Sequence, residues 1–229
     1  MFKRRAIALV ATFAFMFGVL TTSANAGFGL GISGTGALLK TSGSETLKST
    51  GVKTTGSEKS VAGIPEVYIQ YDIMETGWTI GTSYVPASAE LGANEKKRNH
   101  MTDAEGTMTL VTQKAQAELK DHWRAYLETP GFFGGFYAGV AYSHVTLETN
   151  ESLGTGATYG NKDIDGVTYE LGFKHHLESG ILLKIAANLT DYDDLTLKSA
   201  ASTDGTSAQH TIEADPEVYG LKLSIGYQF

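Results

Sequence analysis

The segment Glu217-Val-Tyr-Gly-Leu-Lys-Leu-Ser-Ile-Gly-Tyr-Gln-Phe229 decides the fold. Alternate positions separate Tyr219, Leu221, Leu223, Ile225, Tyr227 and Phe229 from Val218, Gly220, Lys222, Ser224, Gly226 and Gln228. A strand here therefore has one apolar face and one that is mostly small or polar. Aromatic residues close both ends of the apolar face and aliphatic ones fill its middle, the order expected of a strand crossing a bilayer between two aromatic rings. At roughly 3.3 Å per residue and a tilt near 45°, this segment rises on the order of 30 Å, enough to cross.

The other end of the chain reads as an export signal. Lys3, Arg4 and Arg5 form a charged start, Ala6 to Leu20 an apolar run, and Ser23-Ala-Asn-Ala26 a small-residue cleavage site, so residues 1–26 are expected to be removed and 27–229 to form one domain. Cleavage takes three of the 18 basic residues and none of the 25 acidic ones, leaving a formal charge of −10, which argues against a nucleic-acid partner. No cysteine occurs, which rules out disulfides, thiolate catalysis and cysteine metal sites. Beyond the signal no apolar run approaches the ~20 residues of a transmembrane helix, so a membrane location requires a closed barrel, in which no backbone group is left unpaired in lipid.

Three short units recur about fifty residues apart: Met74-Glu-Thr-Gly-Trp78, Leu127-Glu-Thr-Pro-Gly-Phe132 and Leu177-Glu-Ser-Gly-Ile181. Each reads as a tight hairpin turn, with Gly supplying positive φ and a hydroxyl able to bond local backbone. Between and beyond them, alternation predicts strands at about 28–40, 66–74, 78–86, 113–128, 132–147, 167–177, 181–198 and 217–229. The fifth loses its alternation near His144, where a bulge is expected. Four long polar connections, roughly 41–64, 87–108, 149–165 and 200–216, alternate with the three turns. The expectation is an all-β, eight-stranded antiparallel up-and-down transmembrane barrel.

The segment 113–128 fits least well. Its alternation sends Ala115, Ala117, Leu119, Trp123, Ala125 and Leu127 to lipid, but Asp121 with them, and its Ala, Gln, Glu, Leu and Lys content also suits a helix. We read it as a strand, because without it the strand count is odd. The inward positions then carry a lumen charge network of Asp72, Glu118, Lys120, Arg124, Glu128, Glu170, Lys174, Lys184 and Lys222. Eight strands enclose little more than their own side chains, so these charges are expected to pair and plug the barrel. Trp78, Trp123, Phe132, Tyr219, Tyr227 and Phe229 are expected in the aromatic girdles.

An alternating last strand that ends on Phe229 resembles the bacterial outer-membrane β-barrel proteins, and the strand count resembles the OmpA, OmpX and OmpW types in particular. The resemblance implies that Tyr227 and Phe229 are read by the barrel-assembly machinery, that both termini are periplasmic, and that lipid and lipopolysaccharide surround the wall. No peptidoglycan-binding domain is expected after the last strand, unlike full-length OmpA. The role expected is structural or surface-interacting, with loops meeting other cells, phage or lipopolysaccharide. The OmpW likeness implies an alternative, a narrow channel or lateral path for small hydrophobic molecules, which a continuous apolar tunnel would favour; the inward positions show none.

No cofactor, metal or catalytic residue is expected; a lipid-modifying barrel enzyme is the third alternative, which lipid A or phospholipid turnover by the purified protein would revive. His175 and His176 are neighbours on a strand and point to opposite faces, as do Ser143 and His144, for which no third residue is placed to orient the imidazole. Lys96-Lys97-Arg98 reads as a solvated run in a loop, and Gly154-x-Gly156 precedes no helix that would make it a phosphate loop.

Overall fold

The computed structural model describes residues 27–47, 51, 53–73, 76–101, 108–149, 158–200 and 210–229. The expected signal and the Gly154-x-Gly156 pair lie outside them. The described residues form ten strands and no helix: β1 (Phe28–Leu47), β2 (Lys53–Ile73), β3 (Trp78–Tyr84), β4 (Ala89–Met101), β5 (Met108–Glu128), β6 (Phe136–Thr149), β7 (Lys162–His176), β8 (Ile181–Tyr192), β9 (Leu195–Lys198) and β10 (His210–Gln228).

Eight of these close a ring. Antiparallel pairing runs β1-β2-β3-β5-β6-β7-β8-β10, and β10 returns to β1 from Gly29↔Gln228 to Leu47↔His210. Closure removes every edge in the membrane zone. Two additions stand on the ring: β4 pairs only with β5, and the short β9 only with β10.

The outer wall is apolar. Ile32, Ile80, Val140, Leu171, Ile185, Leu221, Leu223 and Ile225 are all exposed, a band of hydrocarbon suited to lipid rather than water. Aromatic side chains bound it: Trp78, Phe132, Phe136, Phe173, Tyr227 and Phe229 at the end with the tight turns, and Tyr84, Trp123, Tyr142 and Tyr219 at the end with the long connections. Tyr219 to Phe229 covers about 33 Å of strand, or about 23 Å of height at a 45° tilt, close to the apolar band of a membrane barrel. All six residues expected in the girdles thus lie in these rings.

Several expectations are corrected. The connections assigned to 41–64 and 87–108 are largely strand: β1 and β2 pair as far as Thr46↔Lys53, and β4 and β5 as far as Met101↔Met108, so long hairpins rise beyond the loop-end aromatic ring. Polar alternation without an apolar face hid them, because above the membrane neither face of a sheet meets lipid. Lys96-Lys97-Arg98 therefore lies on a strand backbone rather than in a loop. The segment 181–198 breaks into β8 and β9 at Asp193-Asp194. Strand 132–147 begins at Phe136, since Phe132 bridges back to Phe136 and closes an extra turn.

The largest correction concerns a bulge. It lies on β5, between Lys120 and Trp123, rather than near His144 on the partner strand β6. Asp121 takes φ 51°, a left-handed conformation that a short polar side chain tolerates. Across from it β3 ends at Tyr84, the last link is the Val85 amide donating to the His122 carbonyl at 2.9 Å, and Pro86 lacks a donor to continue. One extra residue reverses the faces beyond it. Below the bulge Trp123, Ala125 and Leu127 face lipid, as expected; above it Ala117 and Leu119 turn inward, while Glu118 and Lys120 turn outward.

Candidate functional site: the sealed lumen

The lumen has two tiers. The turn-end tier is polar, because the inward positions of β2, β5, β7, β8 and β10 there carry charges, amides and hydroxyls on strands whose other face is apolar. At its floor Asp72 accepts from Thr79 Oγ1 at 2.7 Å and from the Gln228 amide at 2.6 Å. One layer up, Lys184 Nζ donates to both Glu128 oxygens at 2.8 and 2.9 Å and to Gln70 Oε1 at 2.9 Å. The same ammonium lies 5.6–5.8 Å from the ring centres of Tyr68, Tyr126 and Tyr137, in cation–π range. Lys174 approaches Glu128 at 3.8 Å and donates to the Thr129 carbonyl at 3.1 Å.

Two further pairs complete the tier. Arg124 is paired with Glu66 and donates to Ser83 Oγ at 3.3 Å; Lys222 is paired with Glu170, which also accepts from Tyr137 Oη at 2.6 Å. Four carboxylates, Glu66, Asp72, Glu128 and Glu170, thus face four cations, Arg124, Lys174, Lys184 and Lys222. Balance of this kind is what burial requires, since an unpaired charge in a confined lumen costs several kcal/mol. Two cavities among these groups measure about 10 Å³ each, room for one water apiece, and Tyr68 Oη, unpartnered among the described residues, borders one of them.

The expected network is therefore altered at its membership. Asp72, Arg124, Glu128, Glu170, Lys174, Lys184 and Lys222 are brought together in the lumen. Glu118 and Lys120 are not: the bulge puts them on the outer face, where Lys120 bridges Glu118 at 3.4 Å and Glu148. Glu66 takes their place. It occupies an inward position of its strand, in phase with Tyr68, Gln70 and Asp72, so the same alternation points to it.

The loop-end tier is apolar. Ala37, Leu39, Ile64, Val85, Val145, Leu147, Ile164, Tyr192, Leu195, Leu197 and Val218 bury one another, with Leu119 and Ile212 packed alongside. An apolar inward stretch was not expected, because the reversed phase of β5 and the lengths of β1, β2 and β10 above the membrane set where it begins. It is a packed core rather than an open tunnel.

Ser143 and His144 diverge as expected. Ser143 points inward in a hydroxyl chain with Thr168 at 2.7 Å and Thr190 at 2.8 Å, whereas His144 points outward. A third residue is present, contrary to expectation: Asp165, opposite His144 on β7, lies 2.7 Å from its Nδ1, with the imidazole against the Trp123 ring. The oriented imidazole and the hydroxyl remain on opposite faces of the wall. His175 faces outward and His176 inward near the turn end.

No family profile matches the sequence, and no curated protein matches it. Among solved structures, the chain superposes on the outer membrane protease OmpT from Escherichia coli with a TM-score of 0.52 at 10% identity, covering 91% of this chain and 100% of that one. It superposes on the outer membrane protein OprG from Pseudomonas aeruginosa with a TM-score of 0.51 at 15% identity, covering 88% of this chain and 97% of that one. The fold is that of the bacterial outer-membrane β-barrels. In this outer-membrane barrel fold, eight strands bring inward side chains close enough to fill the space they enclose, so the charge network above is the interior itself rather than the lining of a pore.

Proposed function

We propose that the protein is a sealed anchor in the outer membrane whose work is done at the cell surface, on the hairpins that rise beyond the loop-end aromatic ring, with both termini in the periplasm and lipopolysaccharide around the outer half of the wall. The observation that carries this reading is the filled lumen: four carboxylates and four cations occupy one tier, apolar side chains pack the other, and two cavities among the charges have room for a single water each. The reading is non-enzymatic: the oriented His144 and the buried Ser143 hydroxyl lie on opposite faces of the wall.

Planar-bilayer recording of the refolded barrel tests it. The expected record is silent or shows rare small openings. Frequent, stable openings of porin size end the anchor reading.

A second reading, a lateral path for small hydrophobic molecules, is favoured by one feature. Above Val67 and Tyr84 the edge of β2 pairs only with β1, and β4 pairs only with β5, which leaves a seam in the wall beside the apolar tier, with Pro65 on its margin. Uptake of an apolar fluorescent probe into vesicles, no faster with the barrel than without it, removes this reading.

A further inference from the structure

The turn between β5 and β6 differs from the other two. Its backbone makes two reversals: Thr129 N donates to Ala138 O at 2.8 Å, and within that loop Phe136 N and Gly135 N both donate to Phe132 O, at 2.9 and 3.1 Å. The inner reversal forces Phe133 to φ 44°, followed by Gly134 at 83° and Gly135 at 126°. Left-handed backbone is unfavourable for a bulky residue, and such strain persists only where the surroundings impose it. Its result is a Phe133 side chain 91% exposed at the tip of the turn, the most exposed large apolar side chain described. The turn between β7 and β8 presents Glu178 and Ser179 at the corresponding place.

The tip is joined to the lipid-facing wall through its neighbours. Phe132 pairs with Phe136, Phe136 pairs with Phe173, and all three belong to the turn-end aromatic ring. Phe133 stacks edge-on against Phe132 with ring centres 5.8 Å apart, so it continues that aromatic ring. In water this arrangement keeps an entire phenyl group hydrated; against the headgroup and acyl boundary of a bilayer the same group is dehydrated, which is where aromatic residues concentrate in membrane proteins.

We propose that Phe133, carried by the strained Phe132–Gly135 turn, is an interfacial anchor that seats in the phospholipid leaflet on the turn side and holds that corner of the barrel at the membrane boundary. The occupant of this surface is lipid, because the tip continues an aromatic ring that already faces lipid. A protein partner binding the same tip from the aqueous side requires the opposite environment.

The full mature chain, refolded into phosphatidylcholine vesicles, distinguishes the two. The chain has two tryptophans, Trp78 and Trp123, and no cysteine. Phe133→Trp in a Trp78→Phe, Trp123→Phe background gives a single reporter at the tip, and the protein retaining only Trp78 is the lipid-facing reference. Phospholipid brominated on its acyl chains is expected to quench the tip reporter to at least half the extent seen for Trp78, with acrylamide in the buffer quenching both weakly. Strong acrylamide quenching with no bromine quenching overturns the proposal and leaves the tip facing water. If the triple variant does not refold, as judged by the loss of its heat-dependent gel shift, Phe133→Cys carrying an environment-sensitive fluorophore gives the same readout. Its emission is expected to be blue-shifted in vesicles, and an unshifted spectrum overturns the proposal equally.

Discussion

Replacing Glu128 by Gln tests whether paired charges hold this barrel together. The change keeps size and a hydrogen-bond acceptor but removes the negative charge that faces two ammoniums, Lys184 at 2.8 Å and Lys174 at 3.8 Å, on side chains that are almost wholly buried. It leaves the lumen with four cations against three carboxylates. Gln70 and three tyrosine rings still surround Lys184 but carry no full charge to replace the one lost. Breaking a buried pair in this way costs about 3–5 kcal/mol. With a slope of about 1–3 kcal/mol per molar urea, the unfolding midpoint of the barrel in vesicles is expected to fall by roughly 1–5 M. Tryptophan fluorescence and the heat-dependent gel shift report the same transition. Lys184→Met combined with Glu128→Gln lowers the cation count again and is expected to recover part of the loss. An outer pair serves as control: removing the Lys40–Glu217 pair, 3.0 Å apart and solvated, is expected to shift the midpoint far less. A Glu128→Gln barrel that unfolds within about 1 kcal/mol of the parent refutes the reasoning, and the lumen is then better described as hydrated than as a network of paired charges.

Other outcomes follow from the same geometry. Asp121→Gly is expected to stabilise the barrel by up to about 1 kcal/mol by relieving the left-handed backbone of the bulge, and Asp121→Val to destabilise it by more than that, both read from urea midpoints. Deleting Phe229, whose ring packs 5.0 Å from that of Tyr227, is expected to lower the amount of barrel assembled in cells while leaving refolding in detergent almost intact; unchanged assembly makes Phe229 a ring residue alone. Hydrogen bonding from Ser88 and the Lys120 ammonium hold the Glu118 carboxyl below the usual carboxylate range. Its folded-state value is therefore the lower one, so its contribution above the membrane is present at neutral pH and lost as the pH falls through that depressed value. Carboxyl chemical shifts measured against pH in labelled protein check the direction, and a midpoint at or above the ordinary carboxylate value contradicts it.

The barrel was legible in the sequence because lipid imposes a period. Wherever a strand crosses the membrane, as in Tyr219 to Phe229 or Val167 to Phe173, one face must be apolar and the closed lumen leaves the other polar or small, so alternation, turn spacing and aromatic placement could be read residue by residue. The same rule located seven of the eight charges now seen in the lumen. It failed where lipid stops. Above the loop-end ring the outer face meets water instead of lipid, so no apolar period marks it, and the upper parts of β1, β2 and β10, with β4, looked like loops.

What the sequence by itself determined was the class of fold, the order of turns and long connections, and which side chains face lipid within the membrane zone. The three-dimensional pairing alone decided the rest, through the bulge at Asp121. A bulge is a difference in count between two strands, so neither strand's own pattern counts it: β5 marks the place only by an acid, Asp121, at a lipid-facing position of its alternation, and its register against β6 and the end of β3 before Pro86 show the extra residue. That one residue sends Glu118 and Lys120 outside, turns Leu119 into the apolar tier and leaves Arg124 to pair with Glu66. Periodicity along a chain fixes faces only up to a shift of one, and closure of the ring is what chooses the shift.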